Sequence, residues 1–429
     1  MNKYWKILFF ILGIAACAMA QRWAFVVNGS SETLSRIDLQ TGSVQNHIIT
    51  TGPVPNQIAY YDGFLYVVNS GSASLQIIDA ANPHTTAEIP LPLNSNPMNV
   101  AFNQQSAYVT SYANDLVYKI DLNSQSVVDS YSVGVSPAGI IVFGGKLYVA
   151  NTGFDRINFI FGQGSVTVIE IASGGRVAQI NVAKNPQALI AAPDNFINVI
   201  CTGDYSSVTG RIYFINSESN VLTDSLAIGG QPYWPCIDGL GIVYLSAGGW
   251  SSNGIVLSYN AISRSVLRGT GNPILVGLGS MGLAMDSTGL FYSVGQMANS
   301  VTRFDGNGQV QGTFGVGAGP VSIAIIDQRT GIEDSDNSKP DEFKLGLPYP
   351  NPFNSTVVIP LKGQSLGGEL SIYNICGELV TRLKIESNSN GNGQFVWHGN
   401  DFEGSSVKSG IYFARIGGTG EYRKMVLLR

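Results

Sequence analysis

One short string recurs down most of the chain and restricts what it can fold into. An aromatic residue, two small or β-branched residues and a polar residue read Phe25-Val26-Val27-Asn28, Tyr66-Val67-Val68-Asn69, Tyr108-Val109-Thr110-Ser111 and Tyr148-Val149-Ala150-Asn151. Looser copies follow at Val199-Ile200-Cys201-Thr202, Val243-Tyr244-Leu245-Ser246 and Phe291-Tyr292-Ser293-Val294. A second marker is a proline ahead of an apolar run, at Pro55, Pro97, Pro137, Pro186, Pro232 and Pro320, with Met281 in its place in the sixth copy. A third is an apolar alternation ending at Asp38, Asp79, Asp121, Glu170, Asn216, Asn260 or Asp305. The three markers give the same count of seven, in the same order, at a period of about 40–45 residues.

Each unit reads as four short strands: one after the proline, one at the recurring string, one ending at the acidic or amide residue, and one before the next proline. Turn pairs such as Asp62-Gly63, Gly144-Gly145 and Asp238-Gly239 separate them, and the 51 glycines suit a chain with many tight turns. One such unit cannot bury both of its faces, so units must stack around an axis. The expected fold is all-β, a seven-bladed β-propeller over residues 21–327. The repeats open at a second strand (Phe25) and end after a first strand (Val321 to Ile326). Ring closure is therefore expected to pair the two ends of the repeat region.

The recurring string, the later Val-x-x-Ile-Asp and the proline before the first strand resemble the YVTN family of β-propeller repeats. The resemblance covers roughly residues 23–327 and is close in the first four copies. It implies a fold and often a surface location, and no single activity.

The start of the chain suggests an address. Lys3 and Lys6 precede an apolar stretch from Ile7 to Ala16, too short for the ~20 residues of a spanning helix. Ala18-Met19-Ala20 then offers a signal-peptidase site before Gln21, so residues 1–20 read as a signal peptide. The competing reading is a lipobox at Ile14-Ala15-Ala16-Cys17 with a lipid on Cys17, although a strand beginning at Trp23 would leave almost no tether. In an oxidising compartment Cys201 and Cys236 either pair or remain two buried thiols.

Residues 328–342 are acidic, polar and aperiodic, and read as a linker. Residues 343–429 return to strands, at Thr356 to Leu361, Glu369 to Ile375, Gln394 to His398, Ile411 to Ile416 and Tyr422 to Leu428, which suggests a small immunoglobulin-like β-sandwich. Its motifs are Pro348-Tyr349-Pro350-Asn351-Pro352-Phe353-Asn354, Ile372-Tyr373-Asn374-Ile375-Cys376-Gly377, Trp397, Ser409-Gly410-Ile411-Tyr412 and the closing Arg423-Lys424-Met425-Val426-Leu427-Leu428-Arg429. This order is similar to the type A C-terminal sorting domain of type IX secretion, and to the related immunoglobulin-like domain of flagellar hook-capping proteins. Glu378 stands where the family usually has a basic residue. The resemblance makes Pro350, Asn351, Pro352, Phe353, Gly410, Tyr412, Lys424 and Arg429 the sorting motif. It implies a partner in the secretion machinery, a cell-surface or extracellular location, and removal or exchange of the domain.

Chemistry is sparse in the repeats. A net charge of −5 argues against nucleic acid, whose phosphates need a basic surface. His47 and His84 fall in different units, and His398 lies outside them, so no zinc site or histidine base is expected. No Gly-rich phosphate loop or nucleophile elbow is present, and no cofactor is expected. The loops after the recurring string carry Glu32, Asp115, Asp155 and Asp204. Asp155 and Asp204 are the best carboxylate pair for a metal-dependent lactonase or lyase, or they are simply turn formers.

Binding is the favoured reading. The fourth unit has a long loop, Thr152 to Gly162; the fifth has Gly203-Asp204-Tyr205; the sixth has Trp250 among glycines and serines. Aromatic faces beside polar edges suit sugars or peptides. The expected ligand residues are Tyr112, Asp155, Arg156, Asp204, Tyr205 and Trp250, with Tyr233 and Trp234 on the same face. Phe159 and Phe161 read as packing residues, and Asn28, Asn69 and Asn151 as caps of strand turns. The chain is thus expected to be an exported binding protein for a glycan or protein ligand.

Overall fold

A computed structural model describes residues 22–248, 253–327, 344–345, 348–362, 369–374, 379–384, 386–387, 393–416 and 422–428. The expected signal peptide, Cys17, Trp250, the linker, Cys376 and Arg429 lie outside them. The chain forms two compact units, residues 1–329 and 330–429.

In the first unit, the described residues build seven antiparallel sheets of four or five strands. Six run in simple chain order, as in Pro55–Tyr61, Phe64–Asn69, Ser74–Asp79 and Thr86–Pro90. The remaining sheet joins both ends of the repeats: Arg22–Asn28 pairs with Thr33–Asp38 on one side and with Pro320–Asp327 on the other. The first strands of successive sheets pack on one another. Pro55–Tyr61 meets Pro97–Asn103, then Pro137–Phe143, Pro186–Ala191, Pro235–Ile237, Ser280–Met285 and Pro320–Asp327, which returns to Pro55–Tyr61.

Burial grades outward from this centre. The second strand is buried on both faces, as Phe64–Asn69 and Lys146–Asn151 show, because sheets stack on either side of it. Tyr66 and Val68 of one sheet pack with Val100, Val109 and Tyr118 of the next, and each large side chain so buried contributes about 1.5–3 kcal/mol. The fourth strands, such as Val44–Thr50 and Arg176–Val182, are largely exposed. Six of the seven sheets have a register shift between third and fourth strand, for example at Lys119/Ile120 and Phe214/Ile215. Bulges of this kind blunt an outer edge against pairing with other chains.

Two of the sequence markers prove to be partners on one rung. Pro55 pairs with Asn69, Pro97 with Ser111, Pro137 with Asn151 and Pro186 with Cys201. Proline cannot donate to a ladder, so it opens the strand, and a register shift follows it. Pro232 departs from the expectation. Its strand begins at Pro235, because the connection before it carries two left-handed glycines, Gly229 and Gly230, and Pro232 instead accepts a hydrogen bond from the Thr202 hydroxyl at 2.7 Å. In the sixth copy the strand opens at Ser280. The third marker forms turns: Asp38 Oδ1 accepts from the Gln40 and Thr41 amides, Asn216 Oδ1 from Glu218 and Ser219, and Asp305 Oδ1 from Asn307 and Gln309.

The second unit contains two four-stranded sheets. One orders Lys344–Leu345, Val357–Lys362, Gly393–Trp397 and Glu386–Ser387; the other orders Leu379–Lys384, Glu369–Asn374, Gly410–Ile416 and Tyr422–Leu427. They share one core of Val357, Ile359, Phe395 and Trp397 with Leu370, Ile372, Ala414 and Met425.

Candidate functional site

The end of the ring that carries the connections between sheets and the loops after the second strands opens into a cavity of about 380 Å³. Its wall includes Val54, Asn56, Gln57, Gln187, Tyr233 and Trp234. A second cavity of about 300 Å³ follows the first strands inward, and Gln57, Asn99 and Trp234 line both. Among the described residues, no charged side chain lines either one. The polar groups are carboxamides and hydroxyls, set by the residues just after the strand-opening prolines. Asn56 Nδ2 donates to Pro97 O at 2.9 Å, Gln57 Oε1 accepts from the Val100 amide at 3.0 Å, and Gln187 Nε2 donates to Asn185 Oδ1 at 2.6 Å. These bonds cross from one sheet to its neighbour or fix the turn beside it, so the amides are held in place before any ligand arrives. The Tyr233 and Trp234 rings lie 6.4 Å apart, and burial pushes the Tyr233 phenol up to about 12.

The sequence pointed to aromatic loops on this end, and they form a row. Tyr112 lies 6.2 Å from Phe154, Phe154 4.9 Å from Phe161, and Phe161 5.8 Å from Tyr205. Burial raises the pKa of both Tyr112 and Tyr205. Tyr205 is 44 % exposed. Phe161 packs as expected, but Phe159 does not: it is 77 % exposed at the tip of the hairpin formed by Phe154–Asp155 and Ile160–Phe161, beside Ile157 at 86 %. The hairpin lifts that tip away from the sheets.

Asp155 and Arg156 line a third cavity, of about 740 Å³, with Asp115 and Gln163, and the charged candidates are engaged by neighbouring groups. Asp155 Oδ1 accepts from the Ile157 and Asn158 amides and Oδ2 from Asn158 Nδ2, and these bonds, the side chain's first, hold its pKa low. Asp204 accepts from the amides of Val208, Ser206 and Ser207 and pairs with Lys184 at 3.2 Å; the Val208 bond leads in lowering its pKa. Arg156 makes two parallel bonds to Asp115, at 2.7 and 2.9 Å, and also donates to Tyr112 O and to Ser136 Oγ at 3.0 Å. It joins the hairpin to the preceding sheet. Among the described residues no three histidines, cysteines or carboxylates come together. Cys201 and Cys236 are separate free thiols, whose pKa burial raises.

The cavity amides were absent from the sequence reading, which sought carboxylates and long loops. The available signal was a polar residue one or two places after the marker proline, in Pro55-Asn56-Gln57, Pro97-Met98-Asn99 and Pro186-Gln187.

In the second unit the motif residues converge from both ends of the segment. Asn351 Nδ2 donates to Lys424 O at 2.9 Å, and Asn351 Oδ1 accepts from the Val426 amide at 2.8 Å. The Phe353 amide donates to Val426 O and its carbonyl accepts from Leu428. Tyr349-Pro350 and Asn351-Pro352 are both cis. The buried Phe353 ring meets Trp397 at a tilt, 5.6 Å between centroids, and Trp397 meets Tyr412 at 5.0 Å. Tyr412 donates to Lys408 O at 2.7 Å, next to the turn that leads into Gly410.

Comparison with known proteins agrees with this division. Residues 348–427 match the secretion system C-terminal sorting domain. The chain therefore carries a sorting domain that marks it for export. No curated protein matches the chain. Among solved structures, it is similar to hydrazine synthase of Kuenenia stuttgartiensis, with 18% identity, a TM-score of 0.55, and coverage of 65% of this chain and 91% of that one. It is also similar to a functionally unknown protein from Desulfotomaculum acetoxidans, with 16% identity, a TM-score of 0.57, and coverage of 71% and 98%. At these identities the likeness is one of fold alone, and that fold is an all-β propeller.

Proposed function

We propose that the chain is a binding protein exported by type IX secretion: a seven-bladed propeller of the YVTN type that takes up a neutral glycan at its channel mouth. The proposed organisation is a signal peptide over 1–20, the propeller over 21–327, a linker over 328–342 and an immunoglobulin-like sorting domain over 343–429. The sorting domain's partner is the secretion machinery, and the propeller is displayed at the surface or released.

The observation that supports the ligand class is the mouth itself: carboxamides and two aromatic rings with no formal charge among the lining residues. Sugar hydroxyls both donate and accept, which suits amide side chains. Their rings present apolar C–H faces, which suit Tyr and Trp. The row of Tyr112, Phe154, Phe161 and Tyr205 offers further aromatic surface, with Asp155, Arg156 and Asp204 in the same set of loops; Trp250, outside the described residues, is kept as a candidate from the sequence.

Titration calorimetry of the mature full chain with cellotetraose, mannotetraose and N-acetylchitotetraose tests the reading, alongside Gln187→Ala and Trp234→Leu. Saturable binding that both substitutions weaken is the expected result. No heat with any of the three would overturn the glycan reading and leave a protein ligand as the next case.

A further inference from the structure

The residue just before the strand-opening position turns left-handed in six of the seven sheets, the strand at Pro235 being the exception: Val54 at φ 51°, Asn96 at 47°, Ser136 at 54°, Asn185 at 60°, Gly279 at 74° and Gly319 at 62°. Five of these are glycine, asparagine or serine, types that tolerate the conformation or gain local hydrogen bonds in it. Val54 is β-branched and the least suited of all. Burial does not compensate it, since it is 54 % exposed. The surrounding structure nevertheless holds its backbone on both sides. The Ser70 amide and hydroxyl each donate to Val54 O at 3.0 Å, and the Val54 amide donates to Glu32 Oε1 at 3.4 Å.

An unfavourable backbone state kept at a ligand cavity points to a use for the side chain. Val54 lines the channel mouth with Asn56, Tyr233 and Trp234, and of the apolar side chains there it is the one exposed to this degree. We propose that Val54 is a specificity-determining residue: its isopropyl group supplies an exposed apolar contact at a rim of amides and two aromatic rings, selecting a ligand with an exposed C–H face. This rests on the glycan reading of the mouth.

Two substitutions separate contact from strain. Val54→Asn installs the residue that the second and fourth connections use, and is expected to raise the melting temperature while weakening the bound tetraose by about ten-fold. Val54→Thr keeps the branched shape and the strain but replaces a methyl by a hydroxyl; it should weaken binding without raising the melting temperature. Cellotetraose, mannotetraose and N-acetylchitotetraose serve as probes on the mature full chain. Wild-type affinity in either variant overturns the proposal, as does a melting temperature that Asn fails to raise. If Trp234→Leu weakens binding and the Val54 variants do not, this inference alone fails. If the wild-type chain binds none of the three, the reading of the mouth fails and takes this inference with it.

Discussion

Arg22 Nη2 lies 2.6 Å from Asp286 Oδ2, and Arg22 Nε lies 3.0 Å from Asp327 Oδ1. One guanidinium thus joins the first described strand, the last strand of the ring and a turn of the neighbouring sheet. Asp286 is fully buried at its side chain, so its charge depends on these partners. Arg22→Ala should therefore lower the propeller's stability by about 2 kcal/mol, less than the 3–5 typical of a broken buried pair because other donors remain on Asp286. Thermal unfolding of Arg22→Ala, Asp286→Asn and the double variant would give the coupling directly. Additive losses would show that the ring closes through its backbone ladder alone.

The same carboxylate gives the ring an acid limit. Burial by itself would raise the pKa of Asp286, but hydrogen bonds from Thr288, Tyr292 and Leu290 outweigh it and leave the value below normal. A carboxylate lowered on folding stabilises the native state above its unfolded pKa of about 4, and that contribution is lost as pH falls through the folded value. Stability should hold above about pH 4 and decline below it. In Asp286→Asn that part of the decline should flatten, which urea unfolding midpoints between pH 2 and 6 would report.

Much of this architecture was legible because each repeat writes its buried strands in apolar letters. The second strand is enclosed between neighbouring sheets, so Tyr66-Val67-Val68 and Tyr148-Val149-Ala150 had to be apolar and compact. Outer strands such as Val221–Ala227 face water, and several sequences serve them equally well. In the second unit Leu379–Lys384 was missed for the same reason, since its residues are mostly exposed or half-buried. The functional end was harder to read. Phe159 stands in solvent and Phe161 packs between the Phe154 and Tyr205 rings, although both are aromatic residues of one loop. Nothing local in the sequence distinguishes them, because the hairpin that separates them is fixed by Arg156 reaching a different repeat.

A size relation between distant residues escaped the sequence reading altogether. Asn28, Asn69 and Asn151 end their strands as expected, but each also lies under a glycine three places before the next strand-opening proline. A Cβ on Gly317 would stand 2.5 Å from Asn28 Nδ2, one on Gly52 2.6 Å from Asn69 Nδ2, and one on Gly134 2.8 Å from the Asn151 amide. In the fifth sheet, where the smaller Cys201 ends the strand, Ala183 takes the glycine's place. Gly52→Ala should therefore cost about 1–3 kcal/mol through overpacking, and, because its Cβ would also stand 2.7 Å from Ser72 Oγ, Asn69→Ser should restore only part of it. A Gly52→Ala chain that melts like the wild type would show that the amide moves aside freely.

Arg156 makes most of the side-chain hydrogen bonds that attach the hairpin at residues 154–161, beside one from the Ser136 hydroxyl to Phe154 O at 2.9 Å. Arg156 bonds Asp115 twice and also reaches Tyr112 O and Ser136 Oγ, while the tip residues Ile157 and Phe159 touch little. Arg156→Ala should make this loop the first site cut by chymotrypsin under native conditions. Phe159→Ser should leave the stability within about 0.5 kcal/mol of wild type, as surface substitutions do. Peptide mapping after brief digestion separates the cases, and protection of the loop in Arg156→Ala would show that the aromatic row holds it unaided.

In the sorting unit, Asn351 fastens the opening motif to the final strand through bonds to both Lys424 O and the Val426 amide. Each neutral hydrogen bond contributes about 1 kcal/mol net, and the two share one exposed side chain, so Asn351→Ala should cost about 1–2 kcal/mol. The loss should fall on the smaller unit, because both bonds lie within residues 330–429. Calorimetry of the full chain should then show the sorting unit's transition lowered and the propeller's unchanged. Asn351→Asp keeps the acceptor for Val426 but removes the donor to Lys424 O, placing a carboxylate oxygen against a carbonyl. It should be at least as destabilising as alanine. If aspartate instead matches the wild type, the bond to Lys424 O contributes nothing to holding the opening motif.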